Sequence, residues 1–289
     1  MIDNNLTAFS IIKALFPTLK LAGDYACTVQ NQVQPQPEKE EFGDNFYATA
    51  LTDADLTIQN AIELALLAKF PHISFFGEEY QKSYNTKYFK SITFGAENDF
   101  LITLDPIDGT RAYLDGLPCF SIIFSIIKGR SYQAVFVLQP RKRHYFYALR
   151  EKGAFIGNIN DEIEEAKPLS LQPLNSNKVY LSFALADLKT SFEEDFETWC
   201  SAIDYSPNQN IPGCLDLIQG NLASVVIGQG NLIDSAAFAF IAKEAGAIVT
   251  TLDGENFEPF KNVKNMRIAG LIIAHNQQIH DKINILLSS

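Results

Sequence analysis

The run Leu104-Asp105-Pro106-Ile107-Asp108-Gly109-Thr110 constrains this chain more than any other segment. It directly follows an apolar stretch, 100–104, that reads as a buried strand. Two carboxylates three positions apart then emerge at the strand's C-terminal end, where α/β folds place ligands. Pro106 stiffens the turn, and Gly109 permits a backbone approach that a side chain would block. Gly109 and Thr110 open the next helical turn and expose N–H groups suited to a phosphate. Asp105 and Asp108 are suited to hard cations through oxygen. The competing structural reading of the same residues is an Asp-rich turn that caps a helix.

Periodicity organises the rest of the chain. Residues 3–22 read as a helix with Leu6, Phe9, Ile12, Phe16 and Leu19 on one face and Asp3 as N-cap. Residues 28–45 are polar and read as a loop that folds over the site and helps place a metal. A second helix spans 52–70, with Ile58, Ile62, Ala65 and Leu66 at helical spacing, and Pro71 ends it. Short apolar runs at 73–76, 121–127, 134–138 and 145–149 read as further strands. The cluster Arg141-Lys142-Arg143 falls in a turn and reads as a solvated hairpin tip, with anion binding as the alternative. After a polar stretch at 157–175, strands near 179–183, 224–227, 247–250 and 271–274 alternate with helices near 192–202, 235–245 and 277–287. The expected class is α/β, with an α+β half over 1–165 and an α/β half over 166–289, and a site in the cleft between them.

Composition narrows the function. Basic residues number 23 and acidic residues 34, a formal charge of −11 that gives no footprint for a nucleic-acid polymer. No run of about 18 apolar residues is present to span a membrane. The N-terminus has no signal-peptide pattern. Cys27, Cys119, Cys200 and Cys214 form no C-x-x-C pair and read as free thiols of a reducing cytoplasm. The chain contains no G-x-x-x-x-G-K-S/T, H-E-x-x-H or G-x-S-x-G. Gly228-Gln-Gly230 begins like a dinucleotide loop, but Ile233 stands where the third glycine belongs, so it reads as a turn. His72, His144, His275 and His280 form no ligand pattern.

Further acids stand at element ends. Gly77-Glu78-Glu79 closes the strand at 73–76, a poor choice for stability alone. Thr52-Asp53-Ala54-Asp55 opens the second helix, where N-capping by Thr52 or Asp53 is the structural alternative. Asp234 begins an apolar helix with Ser235-Ala236-Ala237, and capping is again the alternative.

Taken together, Phe70-Pro71 through Gly77-Glu78-Glu79, the run from Asp105 to Thr110, and Asp234-x-Ala-Ala with Glu244-Ala245-Gly246 resemble the inositol monophosphatase superfamily, over residues 50–275. These are magnesium-dependent, lithium-sensitive phosphatases. The resemblance implies a layered αβαβα sandwich, often a homodimer, that acts on a small phosphorylated metabolite with two or three Mg²⁺ ions. It implies that Glu78, Asp105, Asp108, Asp234 and the Ile107 carbonyl hold metal. It also implies that Glu78 and Thr110 orient the attacking water, and that Asp55 hydrogen-bonds the threonine. Asp108, Gly109, Thr110, Gly213, Cys214 and Asp234 would meet the substrate. Crowded carboxylates of this kind repel unless cations are present. Two cations about 4 Å apart can activate water and stabilise a leaving alkoxide, with no covalent nucleophile.

The pattern is altered near its end. The family usually has Trp before the last Asp and Gly after the two alanines, where this chain has Ile233 and Phe238. The stretch from Val225 to Asn231 has no acid to contact substrate hydroxyls, and the segment from Gly213 to Asp234 is shorter than usual. Inositol, sugar or polyol phosphates are the expected substrates. A 3′(2′),5′-bisphosphate nucleotide and histidinol phosphate stay open within the family. A catalytically weak, ligand-binding regulatory protein and a Ca²⁺-stabilised structural protein are the readings of other classes.

Overall fold

The computed structural model describes residues 6–33, 51–79, 99–261, 263 and 266–288. Helix α1 (Ala8–Val29) starts at a capping box: Thr7 Oγ1 accepts the Ser10 N–H at 3.1 Å and Ser10 Oγ accepts the Thr7 N–H at 3.0 Å. The start expected at residue 3 is therefore corrected to residue 8, and Asp3 lies outside the described residues. The helix also runs seven residues past the expected end at 22. Its second half is lined by the small buried residues Ala22, Gly23 and Ala26 rather than large apolar ones, which hid it from the periodicity. Gly23 has a reason to be small, because a Cβ there would come within 2.7 Å of Leu138 Cδ2. Of the polar loop expected at 28–45, residues 28–29 are helical and 34–45 lie outside the described residues.

Helix α2 (Asp53–Lys69) is capped by Thr52 and ends where the Phe70 N–H returns to the Leu66 carbonyl, just before Pro71. Both helices bury their apolar faces on a seven-stranded sheet. Its strands are β1 (Ser74–Gly77), β2 (Phe100–Asp108), β3 (Ser121–Lys128), β4 (Ser131–Gln139), β5 (His144–Leu149), β6 (Gly153–Asn158) and β7 (Lys167–Leu169), paired in chain order. β1 and β2 are parallel, and β2 through β5 are antiparallel. Alternate residues Ile102, Leu104, Phe124, Ile126, Phe136 and Leu138 meet Ile11, Leu15, Leu19, Ile58 and Ile62 in one core. Helix α3 (Thr110–Leu114) is a single turn following β2.

A second sheet has the order β11-β12-β10-β8-β9. It is built from β8 (Lys178–Leu181), β9 (Glu197–Cys200), β10 (Ser224–Asn231), β11 (Ile248–Thr251) and β12 (Arg267–Ala274). Helices α4 (Lys189–Glu193), α5 (Cys214–Ile218), α6 (Ser235–Glu244) and α7 (Gln277–Ser288) accompany it. The helix expected at 192–202 is a correction: it is a short helix followed by strand β9. Phe192 and Phe196 are buried as a helix would need, but Trp199 stacks on Tyr180 across the parallel β8–β9 pair, with ring centroids 5.3 Å apart. Cross-strand pairing outweighed a helical pattern that short.

The fold is thus mixed α/β with two sheets, as expected. The chain divides into two compact units. One comprises residues up to Arg150 with Phe155–Lys167, and the other Glu151–Ala154 with Pro168–Ser289. Within the second unit the Glu244 carboxylate accepts the N–H groups of Glu151 and Gly153, each at 3.0 Å. No helix among the described residues is long and apolar enough to cross a membrane.

Candidate active site

Parallel pairing of β1 with β2 sets Gly77 opposite Leu104, and the Glu78 N–H extends the ladder to the Leu104 carbonyl at 3.0 Å. Glu78 and Asp105 therefore leave adjacent strand ends, whose backbones lie about 4.8 Å apart. Asp108 reaches the same place through an irregularity. Residues three apart on a regular strand face opposite sides. Here Asp105 pairs with Ile123 and Asp108 with Ser121, so three steps on β2 oppose two on β3. That bulge turns both side chains to one side and brings carboxylate oxygens of Asp105 and Asp108 within 4.8 Å of each other. Asp105 is buried, while Asp108 and Glu78 are half-buried.

Gly109 follows in the left-handed region at φ 87°, and a Cβ there would come within 2.9 Å of the Cys119 carbonyl oxygen. Thr110 is buried, and its hydroxyl donates to the Ile107 carbonyl at 2.9 Å. Behind this turn, α3 is tied to the end of α1. Gln30 Nε2 donates to the carbonyls of Tyr113 and Leu117 at 3.1 and 2.8 Å, and Tyr113 Oη donates to the Ala26 carbonyl at 2.8 Å. Burial, with the Asp55 charge nearby, pushes the Tyr113 phenol well up, so it stays a donor. Arg141 closes the latch, donating to Gln30 Oε1 at 2.9 and 2.6 Å, and Arg143 pairs with Asp24 at 2.5 Å. The Arg141-Lys142-Arg143 turn is exposed, as expected of a solvated hairpin tip between β4 and β5, and in addition two of its three side chains fasten the end of α1.

Asp55 is fully buried. Its Oδ2 accepts the Thr52 N–H at 2.9 Å and the Thr52 hydroxyl at 2.5 Å, so this carboxylate completes the capping box of α2. Gln59, one turn further along the same face, was missed by the sequence reading. It is fully buried, and its Oε1 accepts the Glu79 N–H at 3.1 Å. The signal was present in Asp55-x-x-x-Gln59-x-x-x-Glu63, a polar row at helical spacing beside the apolar row of Ile58, Ile62 and Leu66.

In the second unit, Asp234 caps α6. Its carboxylate accepts the Ser235 N–H and hydroxyl, and the Asn231 side chain at 2.9 Å. Asn231 Oδ1 in turn accepts the N–H groups of Ile233 and Asp234 at 2.7 and 3.0 Å, which holds the turn. Ile233 is buried and Phe238 half-buried. Gly213 precedes α5, and its N–H donates to Asp216 Oδ2 at 2.7 Å. Cys214 is the first residue of that helix, and its side chain lies outside the described residues.

The carboxylates of Asp105 and Asp108 come together at the end of β2, with the Ile107 carbonyl between them in sequence and Glu78 leaving the adjacent end of β1, and all of these are hard oxygens. A buried Asp105 this close to a second carboxylate suits a hard divalent cation of the Mg²⁺ or Ca²⁺ type rather than a soft metal. The sequence pattern of the inositol monophosphatase family matches residues 13–288. The chain belongs to the inositol monophosphatase family. Membership supports a phosphatase hydrolase, and the match reaches well beyond the motifs at 50–275. The fructose-1,6-bisphosphatase/inositol-1-monophosphatase of Archaeoglobus fulgidus is 27% identical over 206 residues, 65% of this chain and 69% of that protein. The Nus factor SuhB of Haemophilus influenzae is 26% identical over 201 residues, 66% of this chain and 68% of that protein. Among solved structures, a staphylococcal inositol monophosphatase-1 in a lithium chloride-soaked inhibitory complex superposes with a TM-score of 0.74 at 18% identity, covering 99% of this chain and 97% of that one. That likeness establishes the inositol monophosphatase fold.

Proposed function

We propose that this chain is a Mg²⁺-dependent phosphatase of a small phosphomonoester, of the inositol, sugar or polyol phosphate class, and that water attacks phosphorus directly. The observation that carries the reading is the bulge in β2, which turns Asp105 and Asp108 to one side at the strand end beside Glu78. A bulge that crowds like charges costs stability, and a phosphoryl-transfer site is a reason to keep it. Glu78, Asp105, Asp108 and the Ile107 carbonyl would hold two or three Mg²⁺ ions, with Asp234 contributed by the second unit. When bound, Mg²⁺ supplies Lewis acidity and neutralises phosphate charge in an in-line displacement. Glu78 and the Thr110 hydroxyl orient the attacking water, and Glu78 takes up its proton. Asp55 supports Thr110 in addition to capping α2. The backbone N–H groups of Gly109 and Thr110 receive phosphate oxygens, and those of Gly213 and Cys214 face the rest of the substrate.

The reading places the enzyme in the cytoplasm, as a homodimer, acting on a diffusible metabolite rather than a nucleic-acid polymer or a membrane. Phosphate release from inositol 1-phosphate, fructose 1,6-bisphosphate, 3′-phosphoadenosine 5′-phosphate and histidinol phosphate, with Mg²⁺ and with EDTA, is the test. Metal-dependent release from one of them, inhibited by lithium, is expected. No release from any, by folded protein that binds Mg²⁺, favours the second reading, a regulatory protein with little turnover. Ile233 and Phe238, where the family usually has Trp and Gly, motivate that alternative.

A further inference from the structure

A polar row runs along the buried side of α2. Asp55, Gln59 and Glu63 follow at intervals of four, and all three are 0% exposed. Such a row costs stability in a core unless each group has a specific partner. Asp55 caps the helix. Gln59 reaches the metal-binding turn instead: its Oε1 accepts the Glu79 N–H at 3.1 Å, and its carboxamide fills the space a Cβ at residue 77 would need. The glycine of Gly77-Glu78-Glu79 is thus dictated by Gln59. Gln59 Nε2 is buried with no hydrogen-bond partner among the described residues, a cost that marks the amide as placed for its oxygen.

We propose that Gln59 is a positioning residue that presents the Glu78 carboxylate to the metal site. The inference rests on the Mg²⁺ reading above. Glu78 lies between two anchored amides. Its own N–H is bound to the Leu104 carbonyl at 3.0 Å, and the next N–H along the chain is bound to Gln59. The first anchor is a ladder bond of the sheet, and the second comes from a helix. Together they fix the peptide planes on both sides of Glu78 and so the direction in which its side chain leaves, next to Asp105. Partners one step behind a metal ligand set its orientation and hence the affinity of the site.

The test uses the full chain and three readouts: Mg²⁺ affinity by calorimetry, exchange of the Glu79 amide by NMR in metal-free protein, and melting temperature in EDTA. Gln59→Met keeps the length and loses the acceptor. It is expected to bind Mg²⁺ about 10- to 100-fold more weakly and to exchange the Glu79 amide faster. Gln59→Glu keeps an acceptor oxygen and should restore both. Ile62→Val, a neighbouring core change, should lower the melting temperature with unchanged Mg²⁺ affinity. If Gln59→Met does not fold, Gln59→Asn, which withdraws the carboxamide by one methylene, carries the same expectation. Unchanged Mg²⁺ affinity in the folded variant, or failure of Gln59→Glu to restore it, overturns the proposal. Parent protein that binds Mg²⁺ without turnover refutes the hydrolysis alone, because affinity and exchange are read without substrate. Parent protein that binds no Mg²⁺ overturns both.

Discussion

The Thr110 hydroxyl donates to the Ile107 carbonyl over 2.9 Å, joining two groups with separate tasks in the proposed reaction. A carbonyl oxygen has two lone pairs, so this bond and a cation can share it. The hydrogen bond closes the turn around Gly109 and leaves the threonine oxygen's lone pairs available as acceptors.

Removing that hydroxyl separates orientation from binding. Thr110→Val should lower kcat by about 10²-fold, the scale for misplacing a reacting group that a positioned side chain orients. Thr110→Ser should stay close to the parent. Steady-state phosphate release at saturating Mg²⁺ reads the difference.

Asp105→Asn keeps shape and removes one charge from the crowded pair. Mg²⁺-dependent turnover should disappear, while the melting temperature in EDTA should hold or rise as like-charge repulsion falls. A melting curve beside an activity assay checks both arms; a large loss of stability in EDTA would make Asp105 a structural residue.

Gln30 is the centre of the latch between α1, α3 and Arg141, so Gln30→Leu strands the Tyr113 and Leu117 carbonyls and removes an acceptor of Arg141. The expected cost is about 1–3 kcal/mol of unfolding free energy, measured by urea titration. Mg²⁺ affinity should change far less than in Gln59→Met, because Gln30 bonds α3 rather than a metal-bearing turn.

Lys189 gives a pH signature outside the site. Its hydrogen bond to Asp204, at 2.7 Å, raises the ammonium pKa above 10.5, with Glu193 adding to the effect. A cation with a raised folded pKa contributes stability that is complete below its unfolded pKa and lost as pH rises through the folded value. The stability gap between the parent and Lys189→Met should therefore be level from pH 7 to 10 and close above about 10.4. Melting temperatures across that range read it.

Much of the fold was legible because the signals are local. Apolar periodicity in α2, with Thr52 before it and Pro71 after it, needs no partner to be read. The first five strands of the first sheet were found near their true positions for the same reason, but β6 and β7 at its edge were not: β6 carries Gly153 and Gly157, β7 has only three residues, and both fall in or beside a stretch read as a polar boundary. The errors fell where packing decides. The second half of α1 is helical because small residues let it approach Leu138, a contact far away in sequence. β9 is a strand because Trp199 has Tyr180 to stack on. Arg141 and Arg143 do sit in an exposed turn, but their bonds to Gln30 and Asp24 join segments far apart in the chain and could not be read locally.

The candidate site divides along the same line. The sequence by itself determined which oxygens are available, since Glu78, Asp105, Asp108, Thr110 and Asp234 are identifiable by type, by their place at element ends and by family pattern. Only the tertiary structure decided how they are held. Asp105 and Asp108 share a side because β3 imposes a two-residue step on a three-residue one. Gly77 must be glycine because Gln59, eighteen residues earlier in the chain, fills the space beside it. Residue type and short-range order are written locally, whereas register and close approach are properties of two segments at once, and no single segment carries them.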